Sequence, residues 1–244
     1  MKQNIGYQFH TETKYLREPY SAGAFERLRN QETIKRRPLD RTVALPPPDR
    51  KNGFPLYAVL NARRSVREFE DRPVSLEALS QILWAAYGVS FRAGDFLFRT
   101  APSAGALYPV EVYVAARSVE KLNPGLYHFA PASHSLRQRY EGDLSPLLAE
   151  AALDQDFLAE ASFNLILTAV FERTTWKYGA RCFRYIYLDA GHIVQNAALA
   201  AVSLGLGSCP VAAFFDDEVN ALVGVNPARE SAIYLLAVGW PRND

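Results

Sequence analysis

The stretch TTWKYGAR, Thr174 to Arg181, sets a tryptophan, a lysine and a tyrosine in succession and follows them with glycine and a second cation. On a helix, Lys177, Arg181 and Arg184 fall at i, i+4 and i+7 and share one face, with no acidic residue before Asp189. Like charges so spaced repel, which favours the neutral form of the lysine, the form that acts as a base near neutral pH. A solvated basic face fits the same residues. His192, Gln195 and Asn196, further along, read as polar groups satisfied between packed helices.

Three other stretches carry candidate chemistry. Arg63, Arg64, Ser65 and Arg67 crowd the end of a predicted helix in NARRSVREF. Guanidinium groups bind phosphate through paired hydrogen bonds and a hydroxyl adds another, so the set suits a nucleotide monophosphate; it equally suits a cationic helix end complementing the helix dipole. In APSAGALYP, Ala101 to Pro109, small residues leave backbone N–H groups open to a flat ligand, although an ordinary turn looks similar. GLGSCPVAAF, Gly205 to Phe214, contains GxG but follows a helix and enters a strand, the reverse of a dinucleotide-binding fingerprint.

The elements that must position these residues alternate. The 244 residues suit one domain with an extension, and 49% hydrophobic and 12% aromatic residues are ample for a core. Residues 1–53 are polar and basic and end in LPPPDRKNG, an N-terminal extension or arm ahead of a body at 54–244. Residues 1–72 hold 15 Lys/Arg against 9 Asp/Glu, an asymmetry that fits a nucleic-acid or membrane contact, self-association or an internal phosphate site alike.

A short helix is predicted through LYAVLNARR, and Ser75 caps a second that runs to Gly88. Val110–Ala116 alternates as a strand, GLYHFAPASHSLRQRY is a hairpin, 143–161 is helical and FNLILTAVF is a buried strand. From Thr174 to Leu204 the pattern is helical, broken by Gly179 and Gly191. A strand at 208–212, a helix at 216–223 and a strand through AIYLLAVGW follow. Interleaved helices and strands mean α/β or α+β.

Cys182 and Cys209 lack metal-type spacing and the four histidines are scattered, so no metal site is expected. The N-terminus lacks a signal-peptide apolar run, and no stretch approaches the roughly 18 apolar residues of a membrane helix, so a cytoplasmic protein without membrane contact is expected.

In their order along the chain, RRSVREF, APSAGALYPVEVYV, GLYHF and WKYGARCFRYIYLDAGHIVQNAALAA resemble the SagB-type dehydrogenases of the nitroreductase superfamily. The resemblance runs from FHTETKY to YLLAVGWP. It implies an α+β fold with a central mostly antiparallel sheet flanked by helices, and a homodimer with FMN at its interface. Arg63, Arg64, Ser65 and Arg67 match the binders of the FMN phosphate and ribityl chain. Pro102, Ser103, Ala104 and Gly105 match the loop beside the flavin, and Pro210, Val211, Ala212 and Ala213 match the segment against the ring near N5. Lys177 and Tyr178 match a Lys-Tyr pair regarded as catalytic in azoline-oxidising members. Two departures stand out: many simple nitroreductases carry an acidic residue and glycine where this chain has Ala212-Ala213, and the arm is shorter than the extra domain of some longer members.

The resemblance implies oxidation of azoline rings in a modified precursor peptide to thiazole or oxazole, with a cyclodehydratase as the partner such a pathway requires. The alternatives are an NAD(P)H-dependent reductase of nitro compounds, quinones or another small molecule, and a non-catalytic binding protein with a basic arm. No nucleic-acid-binding motif is present.

Overall fold

The computed structural model describes residues 5–16 and 41–242. The central part of the N-terminal arm, 17–40, lies outside these.

Seven strands form one sheet in the order β1-β6-β5-β4-β7-β9-β8: β1 Thr42–Ala44, β4 Val110–Ala116, β5 Gly125–Ala130, β6 Ser135–Glu141, β7 Phe163–Val170, β8 Gly207–Val211 and β9 Glu230–Gly239. Every neighbouring pair is antiparallel. The α+β architecture with an antiparallel sheet flanked by helices is therefore as expected.

Both faces of the sheet are buried, which explains why its central strands read as apolar runs. On β4, Val110, Val112, Val114 and Ala116 pack with α3, Leu76–Tyr87, and α7, Cys182–Ser203, whereas Tyr113 and Ala115 face the opposite layer. That layer is built from α4, Ser145–Ala151, α5, Phe157–Glu160, and α8, Asp216–Val223. Ser75 caps α3 as its position predicts, its side chain accepting from the Ala78 amide.

The single helix expected over 143–161 is two short ones. Leu153 and Asp154 adopt φ of 60° and 57°, a left-handed turn that no helix can pass through. Gly179, at φ 54°, ends α6, Glu172–Tyr178, and a single 3₁₀ turn leads into α7. Gly191 does not interrupt α7, since its neighbours Ala190, Ile193 and Val194 are buried and hold the helix against the sheet. Lys177, Arg181 and Arg184 consequently do not lie on one continuous helix, and the shared cationic face loses its geometric basis. His192 and Gln195 are exposed and Asn196 half-buried, not enclosed between helices.

Strand β1 lies within the stretch expected to be an arm, yet it pairs with β6 at the edge of the sheet. Two further features are not expected from the sequence. A hairpin of β2, Val89–Ala93, and β3, Phe96–Arg99, precedes the APSAGALYP loop, with Phe91 and Phe96 exposed at its surface. The other is the seating of α1, Ile5–Glu12, against α7. Tyr7 meets Phe183 and Phe9 meets Tyr187 edge-on, and His10 is buried with Nδ1 3.1 Å from the Tyr187 hydroxyl. The remaining α-helix among the described residues, α2, Leu56–Ala62, ends at Arg63.

Candidate active site

The predicted site residues gather into two groups. The first lies along the outer edge of β8. Ser65 forms a parallel bridge with Ser208, and the Val66 amide donates to the Ser208 carbonyl at 3.0 Å. The approach is close: a Cβ on Gly207 would lie 2.8 Å from the Val66 side chain, so only glycine admits the RRSVR segment here. Arg63, Arg64 and Arg67 follow the end of α2, and among the described residues none of them is paired with a carboxylate. Arg64 is folded back on the backbone carbonyls of Asn61 and Arg63, whereas Arg67 lies 6.0 Å above the Phe157 ring.

From Ser208 the same edge runs on to Pro210, Val211, Ala212 and Ala213. Pro210 and Val211 pair with β9 on one side only, opposite Leu236 and Leu235. At about 3.3 Å per residue, Ser208 to Ala212 spans roughly 13 Å. Guanidinium groups thus stand at one end of this edge; at the other Pro210 offers no N–H and the Ala213 carbonyl accepts from Gln155 Nε2 at 3.0 Å.

The second group surrounds Gly105. Gly105, Ala106 and Tyr108 all have positive φ, at 63°, 52° and 49°, a costly conformation for the two that are not glycine. Several bonds hold it. Ser103 Oγ accepts from the Tyr108 amide at 3.0 Å and donates to Asp189 Oδ2 at 2.6 Å, and Arg173 Nη1 donates to the Tyr108 carbonyl at 3.1 Å. Burial pushes the Asp189 carboxyl up, against the hydrogen bonds from Ser103 and the Ala104 amide and the charge of His192.

Lys177 and Tyr178, at the end of α6, turn their polar ends to this loop. A Cβ on Gly105 would lie 2.6 Å from Tyr178 Oη and 2.7 Å from Lys177 Nζ. The lysine and the phenol converge where the loop lacks a side chain. Lys177 is exposed and Tyr178 half-buried, with its ring edge-on to Tyr185 at 4.9 Å.

A half-buried cluster of polar and charged groups anchors α6 behind them. Glu111 on β4 pairs with Arg173 and receives His128 Nε2 at 2.6 Å. Burial alone would raise the Glu111 carboxyl, but the His128 hydrogen bond and the Arg173 charge outweigh it and hold the group below its ordinary value. Asp189, Arg173 and Glu111 escaped the sequence reading. Arg173 carried a local signal, since it precedes Lys177 by one helical turn.

A family model described as "Nitroreductase family" matches residues 60–240, the span that contains both groups. The chain belongs to the nitroreductase family. Within it, the chain is 45% identical over 184 residues to a Methanocaldococcus jannaschii protein named only as a candidate nitroreductase, covering 75% of this chain and 90% of the relative. It is 31% identical over 151 residues to the microcin B17-processing protein McbC of Escherichia coli, covering 60% of this chain and 56% of McbC. Among solved structures, a chain of the E. coli microcin synthetase McbBCD complex with truncated pro-MccB17 bound superposes with a TM-score of 0.69 at 22% identity, over 98% of this chain and 92% of that one, a likeness of fold.

Nitroreductase-family proteins are flavin oxidoreductases, generally of FMN. The residues present fit that group: among the described residues, guanidiniums without a carboxylate partner stand beside Ser65, no strand covers the β8 edge at Pro210 and Val211, and the Lys177 amine and Tyr178 phenol converge at the bare Gly105. Among the described residues no cluster of His, Cys, Asp and Glu suits a metal, and no helix is long and apolar enough to cross a membrane.

Proposed function

We propose that the chain oxidises azoline rings in a modified peptide to thiazole or oxazole. The observation that carries this reading is the convergence of Lys177 Nζ and Tyr178 Oη on Gly105. Aromatisation of an azoline removes a proton from the former amino-acid α-carbon and a hydride from the adjacent ring carbon. A flavin bound at the site supplies the hydride acceptor.

The residues would divide the remaining work. Arg63, Arg64, Ser65 and Arg67 would hold the FMN phosphate and ribityl chain, Pro210 to Ala213 would line the ring side of the site, and Pro102 to Gly105 would shape its other wall. We assign the two walls to different copies in a homodimer, since within one chain the β8 edge and the Gly105 loop form separate groups. The proton goes to the Lys177 amine or to the Tyr178 phenolate, which the lysine's charge stabilises when the amine is protonated. The likeness to McbC and to a chain of the McbBCD complex supports the peptide substrate and a cyclodehydratase partner.

The test is Lys177→Ala. Because general-base help is typically worth about 10²- to 10⁴-fold, the purified variant should keep its flavin absorbance and lose turnover of a thiazoline peptide by that factor. Wild-type turnover in the flavin-loaded variant sinks the assignment.

The likeness to the M. jannaschii protein favours a second reading, an NAD(P)H-dependent reductase of a nitro compound or quinone. Anaerobic bleaching of the flavin by NADPH, with no bleaching by a thiazoline peptide, would select it.

A further inference from the structure

Beyond Gly105 the loop borders a second space. Leu107 and Tyr108 line a cavity of ≈ 500 Å³ that also receives Arg99, Arg137 and Arg173, with Glu111 the only carboxylate among its described lining residues. Glu111 is already engaged by Arg173 and His128. The other two guanidiniums have neither a carboxylate nor a hydrogen-bond acceptor among the described residues.

Arg99 is not a loose surface side chain. Its guanidinium lies 4.0 Å from the centroid of the Tyr87 ring and 4.7 Å from that of Tyr108, and Tyr87 is fully buried. Stacking occupies the faces of the guanidinium and leaves its in-plane N–H donors for an acceptor. Arg137 projects from β6, opposite His128 of β5, so it adds a second charge beside the Glu111–His128 pair. A preordered donor fork without an acceptor, in a cavity with surplus positive charge, is suited to a planar or tetrahedral oxyanion.

We propose that this cavity is an oxyanion subsite, in which Arg99 and Arg137 bind a carboxylate or phosphate group of the molecule that reacts at Lys177 and Tyr178. Arg173 joins the two places. It stands one helical turn before Lys177 and holds the Tyr108 carbonyl of the shared loop. The claim that the anion belongs to the reacting molecule rests on the proposed function; the existence of the subsite does not.

Direct binding tests it. The FMN-saturated protein, with the Arg63–Arg67 cluster thereby occupied, is titrated calorimetrically with phthalate, dimethyl phthalate and inorganic phosphate. Saturable binding of phthalate or phosphate is expected, with none for the diester and a marked loss at about 0.5 M salt. Arg137→Gln and Arg99→Gln should each weaken binding about 10-fold or more. Arg139→Gln, which removes an equal charge on β6 outside the cavity, should leave it unchanged. Preference for phthalate assigns the group as a carboxylate, and preference for phosphate assigns it as a phosphate.

Absence of saturable binding by either anion, or equal losses in Arg137→Gln and Arg139→Gln, overturns the subsite. Because Arg137 is exposed and has no carboxylate partner among the described residues, its variant keeps the test valid if Arg99→Gln fails to fold. Anion binding without azoline turnover would remove the proposed reaction and leave the subsite, and turnover without anion binding would do the reverse.

Discussion

Ser103 Oγ donates a 2.6 Å hydrogen bond to Asp189 Oδ2, joining the loop before β4 to the middle of α7. The same hydroxyl accepts from the Tyr108 amide, so one serine spans the positive-φ segment and fastens it to a helix packed on the sheet. A strained loop persists only where its surroundings hold it. Here Asp189 and Arg173 hold it from two helices.

The Asp189 bond has a pH signature. Burial raises the carboxyl above its ordinary 3.8, so the folded chain holds this proton more tightly than the unfolded chain does. The resulting stability is present below about 3.8 and is lost as pH rises through the raised value. Asp189→Asn keeps a partner for Ser103 and does not titrate. Urea denaturation of both proteins from about pH 4 to about pH 7 should show wild type losing stability relative to the variant; a constant difference contradicts this.

Gly105→Ala separates strain from contact. The new methyl costs about 1 kcal/mol for a φ of 63° and meets Tyr178 Oη and Lys177 Nζ. Gly94→Ala, at φ 57° with open space around it, carries the strain alone. Both variants should lose a few degrees of Tm. On the proposed mechanism turnover should fall about 10-fold or more in Gly105→Ala only, since misplacing reacting groups by an ångström is expensive. Equal turnover in the two variants would show that the Lys177 and Tyr178 positions are unimportant.

Acid should release α1 before it unfolds the body. Burial lowers His10 from 6.5 to about 4, with the Lys14 charge adding to the effect and Asp217 opposing it. The neutral ring is favoured in the docked helix, so docking is strongest above about 6.5 and weakens as pH falls toward 4. The full effect is on the order of 3 kcal/mol. Hydrogen exchange at about pH 4.5 should accelerate in residues 5–12 while β4 and β7 remain protected, and His10→Phe should abolish the pH dependence. Unchanged protection of α1 across this range would refute the prediction.

Local patterns made much of the fold legible. Ser75 before a 3.6-residue apolar period marked α3, and Val110, Val112 and Val114 marked β4, because caps and periodicity are written in adjacent residues. The two short helices at 145–160 were not legible, since the Leu153–Asp154 reversal carries neither glycine nor proline. Gly179 and Gly191 looked alike in sequence; only the first breaks a helix, because packing against the sheet carries α7 through the second.

The candidate site divides the same way. The sequence by itself determined which chemical groups are available: arginines with a serine, a small-residue loop, a lysine beside a tyrosine. The tertiary structure decided which of them meet. Antiparallel pairing and the bridge at Ser208 put RRSVR along the β8 edge, and the break at Gly179 dissolved the cation row while α6 turned Lys177 and Tyr178 toward Gly105. Contacts such as Ser103–Asp189 join residues 86 apart, a separation that no local pattern encodes and that only burial of the sheet's two faces brings within hydrogen-bond distance.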